Sequence, residues 1–279
     1  MKNAFIGFIG FIAAASGVLA QGTQPARVVT VGQGEVARWG GNCQRCSFET
    51  RAWAAVNGTC YYPVDMEKKP GTYTISRRTT GGKLETAKLT VQMRACEKEN
   101  FDNFPKTEFI TVSSANMARA TREAGQLKPL LAYQKNERPA VFDLPLGKPA
   151  NSLPKSEGNF GACRTFNGQP RDRHTGLDYP ITGNALSVGN GRVMVAANHF
   201  YSGNAVYVTH GNGLVSEYFH LKALNAKPGQ TLKKGETVGE IGETGRVTGA
   251  HLHLGVRWHG ARINPAQLLL DPAVLPEVR

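Results

Sequence analysis

The sequence predicts a mainly β protein: a small β-sandwich-like part, a short helical connector and a second, Gly-rich β part. Three observations carry this. Short runs of alternating apolar and polar residues fill Arg27 to Val112. Only one long stretch, opening at Ser113-Ser114-Ala115, has helical character. From Asn159 onward strand-like runs return among many glycines, 32 of which occur in the 279 residues.

The elements follow in order. Met1-Lys2-Asn3 and the apolar run Ala4 to Gly17, with Val18-Leu19-Ala20 before Gln21, read as a secretory signal peptide over residues 1–20. An uncleaved membrane anchor is the alternative, but the run is short for a span of ~20 apolar residues. No later segment reads as a membrane span. The first β part, residues 21–112, takes its strands from Val28-Val29-Thr30-Val31, Thr72 to Ser76 and Ala87 to Gln92. Thr79-Thr80-Gly81-Gly82 and Lys69-Pro70-Gly71 supply turns. The connector, residues 113–156, begins with a helix that weakens at Gly125, and a second short helix is expected around Pro129 to Tyr133. Lys135 to Ser156 then reads as an extended linker, able to reach ~70 Å at ~3.3 Å per residue, so tethering alone fixes no pose for the first part. The last part, residues 157–279, has strand-like runs at Val193–Ala196, Ala205–Thr209, Val215–His220 and His251–Val256, with a hairpin turn at Gly211-Asn212-Gly213.

Charge and cysteines restrict the setting. The net charge of +12 is spread along the chain and not gathered into an arm, which speaks against nucleic acid and for a diffuse anionic partner such as a cell wall. Cys43, Cys46, Cys60 and Cys96 cluster in the first half and Cys163 stands alone. In an exported chain the four are expected to form two disulfides, in any of three connectivities, with Cys163 the odd thiol. A redox motif or half a zinc site at Cys43-Gln44-Arg45-Cys46 is the weaker reading, since no βαβ pattern or second C-x-x-C accompanies it.

The histidines carry the chemistry, and all seven lie after residue 173. His174-Thr175-Gly176-Leu177-Asp178 sets an imidazole and a carboxylate four apart across a glycine. His251-Leu252-His253 sets two imidazoles on one face of a strand, ~7 Å apart. Together they offer His, Asp and His to a zinc ion, with one histidine left over. Unrelated surface histidines and a structural aspartate are the alternative at this point. His199, His210 and His259 read as bland: a polar loop, a structural or solvated position before a turn, and a hairpin tip.

Residues 159–270 resemble the catalytic domain of the lysostaphin-like zinc metallopeptidases, which cleave peptide bonds in peptidoglycan. The resemblance rests on Phe160-Gly161, Arg173 to Asp178, His210 to Gly213, Tyr218-Phe219-His220-Leu221, Lys227 to Gln230, Lys234-Gly235-Glu236, Gly242 to Gly249 and His251-Leu252-His253, in that order. It implies an antiparallel β catalytic domain with zinc held by His174, Asp178 and His253. His220 and His251 match the family's two catalytic histidines, in roles the sequence does not divide between them. No Glu stands in an H-E-x-x-H arrangement. Cys163, just before Arg164, falls where the family often has Arg, and the stretch Ile181 to Leu186 is shorter than usual; both bear on specificity. The implied function is an exported, periplasmic or secreted zinc endopeptidase acting on the peptide cross-links of peptidoglycan. A non-catalytic activator of another wall hydrolase, or a protease for other Gly-rich extracellular proteins, are the alternatives. The first part has no His and no matching motif, so targeting, covering the groove and scaffolding all remain open for it.

Overall fold

In the computed structural model the described residues are Met1, 26–135, 138–154 and 159–279. The expected signal peptide, beyond Met1, lies outside the described residues. The first strands are β1 (Val28–Gly32), β2 (Val36–Trp39), β3 (Cys43–Phe48), β4 (Arg51–Ala54), β5 (Cys60–Pro63), β6 (Gly71–Thr79), β7 (Leu84–Gln92) and β8 (Lys98–Phe101). Helix α1 (Ser114–Leu131) follows. Then come β9 (Cys163–Phe166), β10 (Gln169–Pro170), β11 (Gly176–Tyr179), β12 (Asn184–Leu186), β13 (Gly191–His199) and β14 (Gly203–Thr209). The last are β15 (Leu214–Leu224), β16 (Thr231–Leu232), β17 (Thr237–Ile241), β18 (Leu252–Trp258) and β19 (Ala261–Ile263).

The mainly β expectation is met. A five-stranded sheet of order β1-β7-β6-β3-β4 faces the β2–β5 pair. Alternation does the sorting: Val29 and Val31 of β1, with Ala87, Leu89 and Val91 of β7, turn inward. They meet Trp39, Phe48, Trp53, Tyr62 and Ile75 in one core. The second β part is a nine-stranded antiparallel sheet with the path β11-β18-β15-β14-β13-β16. Its core is built on Leu177, Tyr179, Tyr218, Leu221, Leu252, Leu254 and Trp258, all buried.

Three expectations are corrected. First, α1 is one helix through Gly125 and Pro129. A glycine costs a helix about 1 kcal/mol, but Leu127 and Leu131 pack beside Tyr207, Val215 and Phe219 on the sheet, which offsets it. Pro129, in the last turn, gives up the hydrogen bond that an N–H there would make to the Gly125 carbonyl, and the same docking of Leu127 and Leu131 offsets that loss. Second, residues 138–154 have no regular secondary structure, yet they are not a free tether. Phe142, Leu146 and Ala150 are buried in the core of the second sheet. The backbone N–H groups of Val141 and Leu146 donate to His210 and Leu268 carbonyls at 2.8 and 2.7 Å.

Third, the cysteines pair differently. Cys46–Cys60 joins β3 to β5, and Cys96–Cys163 joins the two β parts, leaving Cys43 as the buried thiol. The cause is topological: β8 pairs in parallel with β9, Lys98 opposite Cys163, and draws Cys96 to it. The same seam holds Arg262 on Asp65 and Glu67, both at 2.7 Å. Tyr61 stacks on Trp258 at 5.2 Å, and Trp53 on His259 at 4.2 Å. The C-terminal tail returns to the first part, where Val28 N–H donates to the Arg279 carbonyl at 2.9 Å. Among the described residues no helix is long and apolar enough to cross a membrane.

Candidate metal centre

Asp178, His253 and Phe219 stand side by side on three neighbouring strands. β11 pairs with β18 so that Asp178 lies opposite His253, and β18 pairs with β15 so that His253 lies opposite Phe219. Directly opposed side chains in a sheet are near enough to interact. His174 reaches the same point from the irregular segment before β11. Gly176 makes room for this: a Cβ there would lie 2.6 Å from His253 Nε2 and 2.4 Å from the Leu254 carbonyl. Phe219 lies flat on the His253 ring at 4.9 Å and fixes its plane.

Three atoms converge. His174 Nε2 is 2.9 Å from His253 Nδ1 and 3.1 Å from Asp178 Oδ1, and His253 Nδ1 is 2.9 Å from Asp178 Oδ1. The other ring nitrogen of His174, Nδ1, is 3.0 Å from the Asn159 carbonyl, which only accepts, so Nδ1 carries the proton and Nε2 a lone pair. Asp178 Oδ1 brings another lone pair. His253 turns Nδ1 to the same point, while its Nε2, buried with no partner among the described residues, lies toward Gly176. A cation at the meeting point satisfies all three atoms, and nitrogen and carboxylate donors at this spacing suit zinc, which takes such ligands at about 2 Å.

Two further rings face the cluster. His251 Nδ1–H donates to the Gly249 carbonyl at 2.9 Å, leaving Nε2 3.4 Å from Asp178 Oδ1. His220 Nδ1–H donates to the Thr244 carbonyl at 2.9 Å, and its ring centre is 4.9 Å from that of His251. His220 holds a positive φ of 64°, a conformation that costs a non-glycine residue of order 1 kcal/mol and that collects at functional sites. Its own N–H is anchored to the Ser202 carbonyl at 2.9 Å.

The electrostatics centre on Asp178. Burial alone would raise its carboxyl, but the His174, His251 and His253 rings outweigh that and hold it well below the usual carboxylate range. Burial pushes His253 and His220 down; for His220 the neighbouring His253 and His251 add to it. His251 moves up, because its contact with Asp178 outweighs burial. Oδ2 of Asp178 accepts from Arg164 Nη2 at 2.7 Å, and Arg164 Nε donates to Glu99 of β8 at 2.6 Å.

The structure thus brings together all five residues singled out in the sequence: His174, Asp178 and His253 in one cluster, His220 and His251 beside it. It keeps the other three histidines away. His210 is fully buried between the Asn190 carbonyl and Ser216 Oγ, a structural position and not a solvated one. His259 is at the expected hairpin tip but buried against Trp53. His199 ends β13 and is not in a loop. Sequence reasoning missed Asn159, Phe219 and the Glu99–Arg164 pair. Period-two alternation puts Phe219 on the opposite face from Tyr218, which was a usable signal; nothing in the sequence joins Glu99 to Arg164.

Comparison with known proteins agrees with this geometry. Residues 172–265 match peptidase family M23. The chain is 40% identical over 93 residues to the peptidoglycan DD-endopeptidase ShyA of Vibrio cholerae, covering 33% of this chain and 22% of that one. It is 36% identical over 106 residues to the DD-carboxypeptidase/endopeptidase Mpg of Neisseria meningitidis, covering 37% and 24%. The chain thus spans less than a quarter of the length of these curated relatives. A crystal structure of a candidate M23 peptidase from Pseudomonas aeruginosa shares the fold over 85% of this chain and 94% of its own, with a TM-score of 0.59 at 22% identity. Residues 172–265, with their converging His, Asp and His, are a lysostaphin-like peptidase family M23 domain.

Proposed function

We propose that the chain is an exported zinc-dependent endopeptidase that hydrolyses the peptide cross-links of bacterial peptidoglycan. The observation that carries the reading is the convergence of His174 Nε2, Asp178 Oδ1 and His253 Nδ1 with two more imidazoles on the same side. The names of the Vibrio and Neisseria relatives support the substrate class. Two disulfides and the signal-like leader support an oxidising, periplasmic or secreted setting.

A zinc ion on His174, Asp178 and His253 supplies Lewis acidity, polarising the scissile carbonyl and lowering the pKa of water toward ~7. The chain's own residues do the rest. Asn159 and Phe219 orient two of the ligand rings, and Arg164 holds Asp178. His220 and His251 each direct Nδ1–H to a backbone carbonyl, so Nε2 of each neutral ring is the bare atom. These two Nε2 atoms take the proton of the attacking water and return one to the departing amine.

The test is purified chain on cross-linked muropeptides, read by mass spectrometry, with and without a chelator. Cleavage that stops with chelator and returns with zinc is expected. Intact cross-links after incubation with zinc-loaded protein would overturn the reading.

A further inference from the structure

Arg246 follows, by two residues, the Thr244 carbonyl that receives His220 Nδ1–H, and its guanidinium has no carboxylate of the described residues on it. Arg164, Arg257 and Arg262 each reach one within 2.7 Å. Arg246 lies instead between two aromatic rings, its guanidinium carbon 4.9 Å from the centre of Tyr201 and 5.4 Å from that of Phe166. Such stacking aims the planar fork without consuming its donors.

The position is rigid. Arg246 N–H donates to the Tyr201 carbonyl at 2.9 Å. The preceding Gly245, at φ 78°, comes so near that a Cβ would lie 2.5 Å from the Tyr201 carbonyl. Lys106 Nζ clamps the same loop through the Glu243 and Gly245 carbonyls at 3.0 and 3.1 Å. Two residues before Arg246, the Thr244 carbonyl receives His220 Nδ1–H. The loop that carries the fork is therefore the loop that holds His220.

Arg246 lines a cleft of about 640 Å³ together with the apolar Phe109, Ile110, Val112 and Met117. Arg171 also lines it, its guanidinium set by the Ile110 carbonyl and Gln169 Oε1 at 3.3 and 3.0 Å. The one acid lining it, Asp172, is exposed and makes no ion pair within 4.0 Å of either arginine among the described residues. Burial lowers the Arg246 pKa and the Arg171 and Arg164 charges press the same way, with Tyr201 and Asp172 opposing them. An anion entering here relieves that pressure.

We propose that Arg246, with Arg171 beside it, binds a free carboxylate of the substrate peptide and lays the adjoining aliphatic group on Ile110, Val112 and Met117. A carboxylate matches the guanidinium fork in two parallel hydrogen bonds, which are strong where solvent is partly excluded. This rests on the endopeptidase reading above, and makes the cleft the site that separates acidic from amidated peptides.

The test compares muropeptides bearing free carboxylates with the same muropeptides amidated, using zinc-loaded full chain. Calorimetric binding and hydrolysis are both measured. The chain is expected to favour the acid form at least about 10-fold, through KM. In Arg246→Gln the gap should close to within about 2-fold, with zinc content unchanged; Arg246→Lys and Arg171→Gln should each lose part of it. Equal treatment of both forms by the unaltered chain, or a full preference surviving in Arg246→Lys and Arg171→Gln, overturns the site. If neither form is hydrolysed, the endopeptidase reading fails, while an acid preference in binding that Arg246→Gln abolishes still supports the site.

Discussion

Asp178 serves two partners. Oδ1 faces the imidazoles, and Oδ2 is held by Arg164, which Glu99 holds in turn. Outer partners of this kind typically contribute 10–100-fold to metal affinity. Arg164→Met is expected to weaken zinc binding by about that factor, measured by competition with a chelating dye; unchanged affinity would remove Arg164 from the account. Asp178→Ala should lose zinc altogether, whereas His220→Ala should keep it and lose ~10²–10⁴ in rate, read by metal analysis beside turnover. Two remote histidines set a pH dependence. Burial pushes His210 down to about 4 and His259 to about 3, Arg51 adding to the latter. Their folded values lie below the unfolded ~6.5, so the unfolded chain binds more protons between those limits. Stability is then full above pH ~6.5 and falls, by up to about 1.4 kcal/mol per pH unit for each ring, as pH drops toward 4 and 3. Urea midpoints at pH 7.5 and 5 should differ less in His259→Phe than in the unaltered chain; an equal difference would count against a neutral buried His259. His174, Asp178, His251 and His253 were legible because their spacing and strand alternation are local. Arg164 was not, because Glu99 comes from the far side of a parallel pairing.

Strands were legible wherever alternation was regular. Val28–Val31 and Ala205–Thr209 lie within β1 and β14 because one face of each meets a core and the other does not. The helix was misjudged at Gly125 and Pro129, since local propensity takes no account of Leu127 and Leu131 docking on a sheet far along the chain. Strand β11 shows the opposite case, in which a glycine is required by its neighbours and not by its own backbone. Gly176 allows β11 and β18 to close on each other behind the His253 ring. Gly176→Ala should push the two strands apart, lowering stability by about 1–3 kcal/mol and weakening zinc binding with it. Denaturant unfolding and dye competition on the same variant check this, and a loss of stability with unaltered zinc affinity would mean that the ring position does not depend on the close approach.

At the scale of the molecule the sequence suggested two β parts on a long tether, and the contacts between them decide otherwise. The first part supplies Glu99 to Arg164, Lys106 to the loop carrying Arg246, and Cys96 to Cys163. Tyr61, Val36 and Met66 share one core with Trp258 and Leu254. None of these pairings is visible in the sequence, because each joins residues that only the parallel β8–β9 ladder and the returning C-terminal tail bring near. They favour a scaffold over a detachable targeting module. A chain starting at residue 150 would expose Trp258 and Phe160, leave Cys163 without its partner and strip Arg262 of Asp65 and Glu67. The ion pairs that lose a partner are partly exposed and contribute only ~0–1 kcal/mol each, but buried aromatic contacts that lose the other ring each cost on the order of 1–5 kcal/mol, against a total stability of ~5–15 kcal/mol. The truncated chain is therefore expected to melt far below the full one or to precipitate. Thermal unfolding of both, with zinc bound, is the measurement. Equal midpoints would restore the tethered picture, with the second part folding independently and the first free to act as a targeting module.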